Sequence, residues 1–195
     1  MSVEFSVNDR HRLDGAAWTP SHHCAARPQA LEPELIVLHC VSLPENEFGT
    51  GAPQRLFTGA LDCSEHPSFH DLTDLQVAPH LFIDRLGGVD QFVAFDQQAW
   101  HAGLSAWRGR SGCNDFSVGI ELEGSVSQAF TDAQYDALVA VLVALLARYP
   151  GLSVGHLVGH QDIAPGRKTD PGPLFDWAGL LRRLHAELAD NAILT

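Results

Sequence analysis

The fold is decided by two apolar stretches, LIVLHC at residues 35–40 and FSVGIELE at residues 116–123. The first is a short continuous apolar run that ends in polar residues, a pattern that predicts a buried strand. The second alternates apolar residues with small or acidic ones. This alternation predicts a strand whose apolar side chains share one face, with Glu121 and Glu123 on the other.

Further elements follow from turn and capping signals. Residues 80–84 and 89–94 are separated by Arg-Leu-Gly-Gly, which predicts a β-hairpin. A helix is expected at Asp132–Tyr149, because Thr131 and Gln134 form a capping box ahead of apolar residues at helical spacing.

The remaining signals complete a mixed architecture. A strand is expected at Val154–Gly159 and a last helix from about residue 174 to residue 188. Strands and helices are interleaved, yet one strand pair is an antiparallel hairpin. We therefore expect an α/β fold of the mixed type, with a central sheet flanked by helices, in a single domain spanning residues 1–195.

Composition excludes several classes of function. The chain has 195 residues and a net charge of −12, so a nucleic-acid surface or adhesion to an anionic membrane is not expected. No stretch approaches the roughly 18 consecutive apolar residues of a membrane span. The first twenty residues lack the apolar core of a secretory peptide, which predicts a cytoplasmic protein with reduced thiols.

The densest polar cluster is GHQDIAPGRKTDPG at residues 159–172. It follows a predicted strand and precedes a predicted helix, where α/β proteins place functional loops. His160 and Asp170 could supply two ligands to zinc, which accepts nitrogen and oxygen donors. The alternative is a polar loop in which an aspartate caps the last helix, and spacing alone does not decide between them.

His39 is the best candidate for a third ligand, because it lies at the end of the first apolar strand. The alternative is a hydrogen-bonded core histidine. On a regular strand its side chain points away from Cys40, which is expected to act as a small buried hydrophobe. His80 and His101 are weaker candidates for the same role.

Glu121 and Lys168 complete the candidate chemistry. If Glu121 faces the metal, its carboxylate can remove a proton from the attacking water; the alternative is an exposed side chain. Lys168 is the only lysine among 12 basic residues, and its ammonium group could stabilise the oxyanion formed when water attacks a carbonyl. Zinc, a carboxylate base and one cation are what amide hydrolysis requires.

Six motifs occur in order along about residues 7–183: LHCVSLPENEFG (38–49), FTGALDCSEHPSF (57–69), FDQQAWHAGLS (95–105), CNDFSVGIELEG (113–124), TDAQY (131–135) and GHQDIAPGRKTDPGPLFDW (159–177). Together they make the chain similar to the zinc-dependent N-acetylmuramoyl-L-alanine amidases with the peptidoglycan-recognition-protein fold. Within that family it most resembles the members that cleave 1,6-anhydro-muropeptides in cytoplasmic wall recycling.

The resemblance implies a set of site residues and a sheet. The family's zinc ligands map onto His39, His160 and Asp170, its general base onto Glu121 and its oxyanion-stabilising lysine onto Lys168. The implied sheet is mixed, mostly antiparallel and flanked by α-helices, with the site in a groove on one face.

Substrate-binding residues are also implied. Trp100 matches a position that lines the sugar-binding part of the groove in relatives, although a core aromatic is the alternative. Asn114 matches a polar residue on the substrate side. Relatives usually carry Arg where this chain has Gln76 and Gly112, cations suited to a muramyl carboxylate, and nearby Arg110 could compensate for their loss.

The expected function is therefore zinc-dependent hydrolysis of the amide bond between (1,6-anhydro-)N-acetylmuramic acid and L-alanine. The expected enzyme is a monomer that acts on muropeptides in the cytoplasm. One alternative is a wall-lytic amidase acting on polymeric peptidoglycan. Another is a non-catalytic peptidoglycan-recognition module, which the complete set of candidate ligands disfavours.

Overall fold

The two apolar stretches form adjacent strands at the centre of a six-stranded sheet. The computed structural model describes residues 4–193. Its strands are β1 (Ser6–Val7), β2 (Leu13–Asp14), β3 (Ala17–Trp18), β4 (Cys24–Ala26), β5 (Leu35–Val41), β6 (Leu81–Ile83), β7 (Val89–Gln91), β8 (Gln97–Ala99), β9 (Ala106–Trp107), β10 (Arg110–Ser111), β11 (Ser117–Glu123) and β12 (Leu157–Gly159). Its α-helices are α1 (Ala52–Phe57), α2 (Asp132–Arg148), α3 (His160–Ile163) and α4 (Trp177–Ile193).

The central sheet has the strand order β12-β5-β11-β6-β7-β3. Neighbouring strands pair in parallel except β6 and β7, which form the predicted antiparallel hairpin. The mixed sheet with flanking helices is confirmed, but the expectation of a mostly antiparallel sheet is wrong. Long connections separate the strands that pair in parallel, as parallel pairing requires, and β5 is largely apolar on both faces because both are covered.

Helices α2 and α4 cover one face of the sheet. The predicted capping box of α2 is present: the Thr131 hydroxyl accepts from the Gln134 amide, and the Gln134 side chain accepts from the Thr131 amide. The last helix begins at Trp177, not at residue 174, because the Asp176 carboxylate accepts a hydrogen bond from Gly179 at the first turn. Leu174 is consequently 48% exposed.

The register between β5 and β11 places functional candidates on the opposite face. His39 lies directly beside Glu121 in the parallel pairing, so the two side chains point to the same side of the sheet. Ile36 and Leu38 on β5 point to the other side and join the apolar core with α2 and α4. The face that carries His39 is covered by α1 and loops instead of long helices.

A buried arginine organises the loops on this second face. The Arg27 guanidinium donates to the carbonyl oxygens of Phe95, Asp115 and Ser117, at 3.0, 3.0 and 2.8 Å. It adjoins His80, whose Nδ1 accepts from the Gly119 amide and whose Nε2 donates to the Gln97 carbonyl. Burial, reinforced by the Arg27 charge, lowers the pKa of His80 to about 3, so its ring is neutral near pH 7.

Within residues 4–193, no helix combines the length and the apolar character needed to cross a bilayer.

Gln134 joins α2 to the ends of two strands, so we expect its side chain to contribute strongly to the stability of the fold. Its fully buried side-chain amide donates to the carbonyls of Ile83 and Glu123, at 3.2 and 2.9 Å. Gln134→Ala leaves both acceptors buried and unpaired, so we expect the free energy of unfolding to fall by about 2–4 kcal/mol in denaturant titrations. The exposed Gln97→Ala should change it by less than about 0.5 kcal/mol. Equal small effects would contradict this role.

His80 predicts how stability depends on pH. An unfolded histidine is protonated below about pH 6.5, whereas folded His80 stays neutral until about pH 3. The unfolded state therefore binds the extra proton, and stability falls as the pH drops through this window. In the metal-free protein, His80→Gln should reduce the loss of unfolding free energy between about pH 7.5 and about pH 5.5 by about 1 kcal/mol. An unchanged loss would show that His80 does not contribute.

Candidate metal centre and active site

Three neighbouring parallel strands bring the candidate side chains to one edge of the sheet. His39 lies near the end of β5, Glu121 near the end of β11, and His160 directly after β12 at the first residue of α3. The carboxyl ends of parallel strands meet at the same edge, which is where open α/β sheets place their sites. Residues 121 positions apart in the sequence therefore become neighbours.

The loop after α3 returns Asp170 to the same edge. The Gln161 amide donates to the Asp170 carbonyl at 3.0 Å, which fixes the backbone of the returning segment. Gly159 is required where Pro171 passes, because a Cβ at residue 159 would lie 2.9 Å from the proline Cδ. The polar loop of residues 159–172 thus folds back on the strand that precedes it.

His39, His160 and Asp170 form a converging set of donor atoms. The two histidine Nδ1 atoms are 2.9 Å apart, and they lie 3.2 and 3.1 Å from Asp170 Oδ2. Ligand atoms about 2.0–2.1 Å from a zinc ion at tetrahedral angles lie about 3.3 Å apart, so the triangle is of the right size. These three residues constitute a candidate metal site.

The protonation states suit metal binding. Burial lowers the pKa of His39 to about 4, which keeps the imidazole neutral near pH 7. Burial alone would raise the pKa of Asp170, but its contacts with the His160 and His39 rings hold it well below its usual range. A neutral imidazole and an ionised carboxylate are the forms that ligate metals.

The outer nitrogens of both imidazoles are occupied. His160 Nε2 lies 3.1 Å from the Ala102 carbonyl oxygen and donates to it, which leaves Nδ1 without a proton. His39 Nε2 lies 2.9 Å from His101 Nδ1, on the side of the ring away from Asp170. His101 therefore does not join the donor set, and both ring nitrogens of His80 are used elsewhere.

Glu121 lies beside His39 in the sheet, and its carboxylate is not engaged by a hydrogen bond at Oε2 within the described part of the chain. Its Oε2 is shielded from solvent and has no hydrogen-bond partner among residues 4–193. Burial, followed by repulsion from Asp170, raises the pKa of Glu121 well above its usual range. A carboxyl group with a raised pKa can exchange a proton near neutral pH, as a general base and acid must.

A cavity of about 440 Å³ opens over these groups. The donor triangle, Glu121 and Lys168 are all among its lining residues. The remaining wall is largely apolar and includes Leu43, Leu56, Leu72, Leu75 and Val77. An apolar cavity with a few convergent polar groups is typical of a small-molecule site, and the polar lining of this cavity includes the groups that hydrolysis of a carbonyl compound needs.

The substrate-side candidates differ in their placement. Trp100 lines the cavity and stacks on His23, with ring centroids 6.3 Å apart. Asn114 lines it too, although its Oδ1 accepts from the backbone amides of residues 101 and 102. The structure does not bring Arg110 to the cavity wall: its guanidinium pairs with Glu34 at 3.0 Å and lies over the Phe116 ring.

Arg167 is a lining residue that sequence reasoning missed. Its guanidinium donates to the carbonyls of Ala102 and Leu104, each at 2.7 Å, and so ties the Lys168 loop to residues 102–104. Its position next to Lys168 was the only available signal. Hydrogen bonds to distant backbone carbonyls leave no pattern in a sequence.

Known proteins resemble this chain closely. A model of the Amidase_2 family, described as N-acetylmuramoyl-L-alanine amidase, matches residues 29–173. The 1,6-anhydro-N-acetylmuramyl-L-alanine amidase AmpD of Citrobacter freundii is 50% identical over 170 residues, which cover 87% of this chain and 90% of that protein. The crystal structure of a selenomethionine derivative of AmpD has a TM-score of 0.86 and 49% identity, covering 91% of this chain and 97% of that one.

A second solved relative contains a ligand. The complex of Escherichia coli amidase AmiD with the substrate anhydro-N-acetylmuramic acid-L-Ala-D-gamma-Glu-L-Lys has a TM-score of 0.56 and 33% identity, covering 80% of this chain and 60% of that one. The region matched by the family includes the donor triangle, Glu121 and Lys168. The resemblance inferred from the motifs is thus confirmed, and the chain belongs to the N-acetylmuramoyl-L-alanine amidase family of hydrolases.

Proposed function

We propose that this protein is a zinc amidase that cleaves the bond between 1,6-anhydro-N-acetylmuramic acid and L-alanine in muropeptides. The observation that carries the proposal is the convergence of His39, His160 and Asp170 beside Glu121 in the lining of one cavity. Family membership supplies the reaction class, and the named activity of the AmpD relatives supports the anhydro substrate.

The residues fit zinc by number, type and charge. Two imidazole nitrogens and one carboxylate oxygen form a three-ligand set, the number that catalytic zinc sites use when a fourth position is open. Zinc bound by His39, His160 and Asp170 would supply a Lewis acid that makes water more acidic and a carbonyl more electrophilic. The outer hydrogen bonds of both rings direct Nδ1 toward the shared point.

Glu121 is proposed to move the proton. It accepts a proton from water as the water oxygen forms its bond to the lactyl carbonyl carbon. The π electrons of the carbonyl then move onto the carbonyl oxygen. Glu121 then gives the proton to the alanine nitrogen as the carbon–nitrogen bond breaks, releasing a carboxylic acid and an amine. The raised pKa of Glu121 suits this role, because a carboxyl of ordinary pKa accepts a proton poorly.

Lys168 is proposed to stabilise the oxyanion. Its loop is held on the cavity wall by the neighbouring Arg167 and by a hydrogen bond from the Lys168 amide to the Ala164 carbonyl. A positive charge at this wall favours the transition state, in which negative charge develops on the former carbonyl oxygen. The same cation attracts the ionised form of Glu121 and partly offsets the effect of burial on its pKa.

The substrate is proposed to lie along the apolar wall. Trp100 offers an aromatic surface for the sugar, and the Asn114 amide nitrogen offers a donor at the same wall. Gln76 also lines the cavity, so an uncharged amide stands where an arginine was expected from the family pattern. Placement in the cytoplasm, a monomeric state and a role in wall recycling belong to the same proposal.

Variants of Glu121 and Lys168 test the proposal. Glu121→Gln removes the proton acceptor, and Lys168→Met removes the cation at the oxyanion. Each is expected to lower kcat for release of peptide from 1,6-anhydro-muramyl-tripeptide by at least about 100-fold. Both should retain bound zinc in elemental analysis, because neither side chain belongs to the donor triangle.

Charge-matched controls separate this effect from the loss of a charge in general. Glu32→Gln and Arg108→Met change exposed residues that do not line the cavity, and their turnover should equal that of the wild type. If zinc-loaded Glu121→Gln turned over within a few-fold of the wild type, the proposed mechanism would be wrong.

A further inference from the structure

His101 and Ala102 each contact the outer nitrogen of one candidate histidine ligand. The His101 side chain contacts His39 Nε2, and the Ala102 carbonyl accepts from His160 Nε2, at 2.9 and 3.1 Å. The segment itself is fixed by Asn114, whose Oδ1 accepts from the amides of residues 101 and 102 at 3.1 and 2.8 Å. Two adjacent residues therefore contact both imidazole rings, one through its side chain and the other through its backbone carbonyl.

The contacts of His101 link buried Ser117 to His39. The His101 Nε2 lies 3.1 Å from the hydroxyl of buried Ser117 on β11, and its Nδ1 faces His39 Nε2. When His101 donates from Nε2 to Ser117, its Nδ1 has a free lone pair and accepts from His39. His39 then holds its proton on Nε2, and its Nδ1 lone pair points toward Asp170 and His160.

The strand beneath the His101 ring is shaped to admit it. Gly119 lies two residues beyond Ser117 on the same face of β11, and a Cβ there would lie 2.4 Å from His101 Cγ. Any larger residue at position 119 would displace the ring from its contact with His39. The absence of a side chain at Gly119 therefore leaves the space that the His101 ring occupies.

We propose that His101 is a positioning residue that fixes the tautomer and the orientation of His39 for metal binding. It acts through His39 and cannot join the donor triangle, because it contacts the ring nitrogen on the opposite side. The inference rests on the zinc role proposed above and extends it to a residue outside the ligand set. Outer partners of this kind typically change metal affinity by about 10- to 100-fold.

The test compares two substitutions at one position. His101→Phe keeps the ring and removes the acceptor, whereas His101→Asn can place an oxygen acceptor near the former Nδ1. Zinc affinity, measured by competition with a chromophoric chelator, should weaken by about 10- to 100-fold in the Phe variant and recover most of that loss in the Asn variant. Ser117→Ala should also weaken the zinc affinity, but by a smaller factor.

A matched control separates metal binding from general stability. His11→Phe removes a comparable contact, from His11 Nδ1 to the Tyr149 hydroxyl at 2.8 Å, in the core on the α2 side of the sheet. It should lower the Tm of the metal-free protein and leave the zinc affinity unchanged. If His101→Phe does not fold, the Ser117→Ala comparison decides in its place.

The outcomes distinguish the two proposals. If the wild type binds zinc tightly and His101→Phe or Ser117→Ala binds it equally well, His101 has no positioning role and the proposed function stands. If the wild type binds no zinc, both proposals are overturned. Weaker binding by the Phe variant with recovery in the Asn variant supports them.

Discussion

The parallel pairing of β11 with β5 is the constraint on which the rest of the site depends. It sets Glu121 beside His39 on one face, while the alternate residues of both strands bury an apolar core against α2 and α4. A slip of one residue would send Glu121 into that core and bring Leu122 to the site. The energy that secures the register comes from the apolar face, so stability and site geometry are fixed by the same pairing.

The site also depends on polar groups that water does not reach. Arg27 joins the carbonyl of Phe95 to those of Asp115 and Ser117, and residues 101 and 102 contact both histidines of the donor triangle. Buried polar groups are costly unless they are paired, so these contacts favour one arrangement of the loops over others. The donor atoms can therefore converge without long helices to hold them on this face of the sheet.

Local sequence patterns predicted several elements of the fold and the main residues of the candidate site. The strand at residues 35–40, the capped helix after Thr131 and the hairpin are confirmed, and the structure brings His39, His160, Asp170, Glu121 and Lys168 to one cavity. Strand direction was mispredicted, because whether two buried strands run parallel depends on the connections between them. Arg110 was expected near the substrate, yet it pairs with Glu34, a contact between residues 76 positions apart that no local pattern encodes. The links through Arg27, His101 and Arg167 are invisible in the sequence for the same reason.

We propose that the donor triangle holds zinc and that the cavity serves muramyl-peptide hydrolysis. Mass spectrometry of zinc-loaded protein incubated with 1,6-anhydro-muramyl-tripeptide and, in parallel, with intact sacculi tests it most directly, with each reaction repeated after chelation. We expect free tripeptide from the anhydro substrate, loss of that product after chelation and its return when zinc is added. Equal release after complete removal of the metal, or release from sacculi alone, would contradict it.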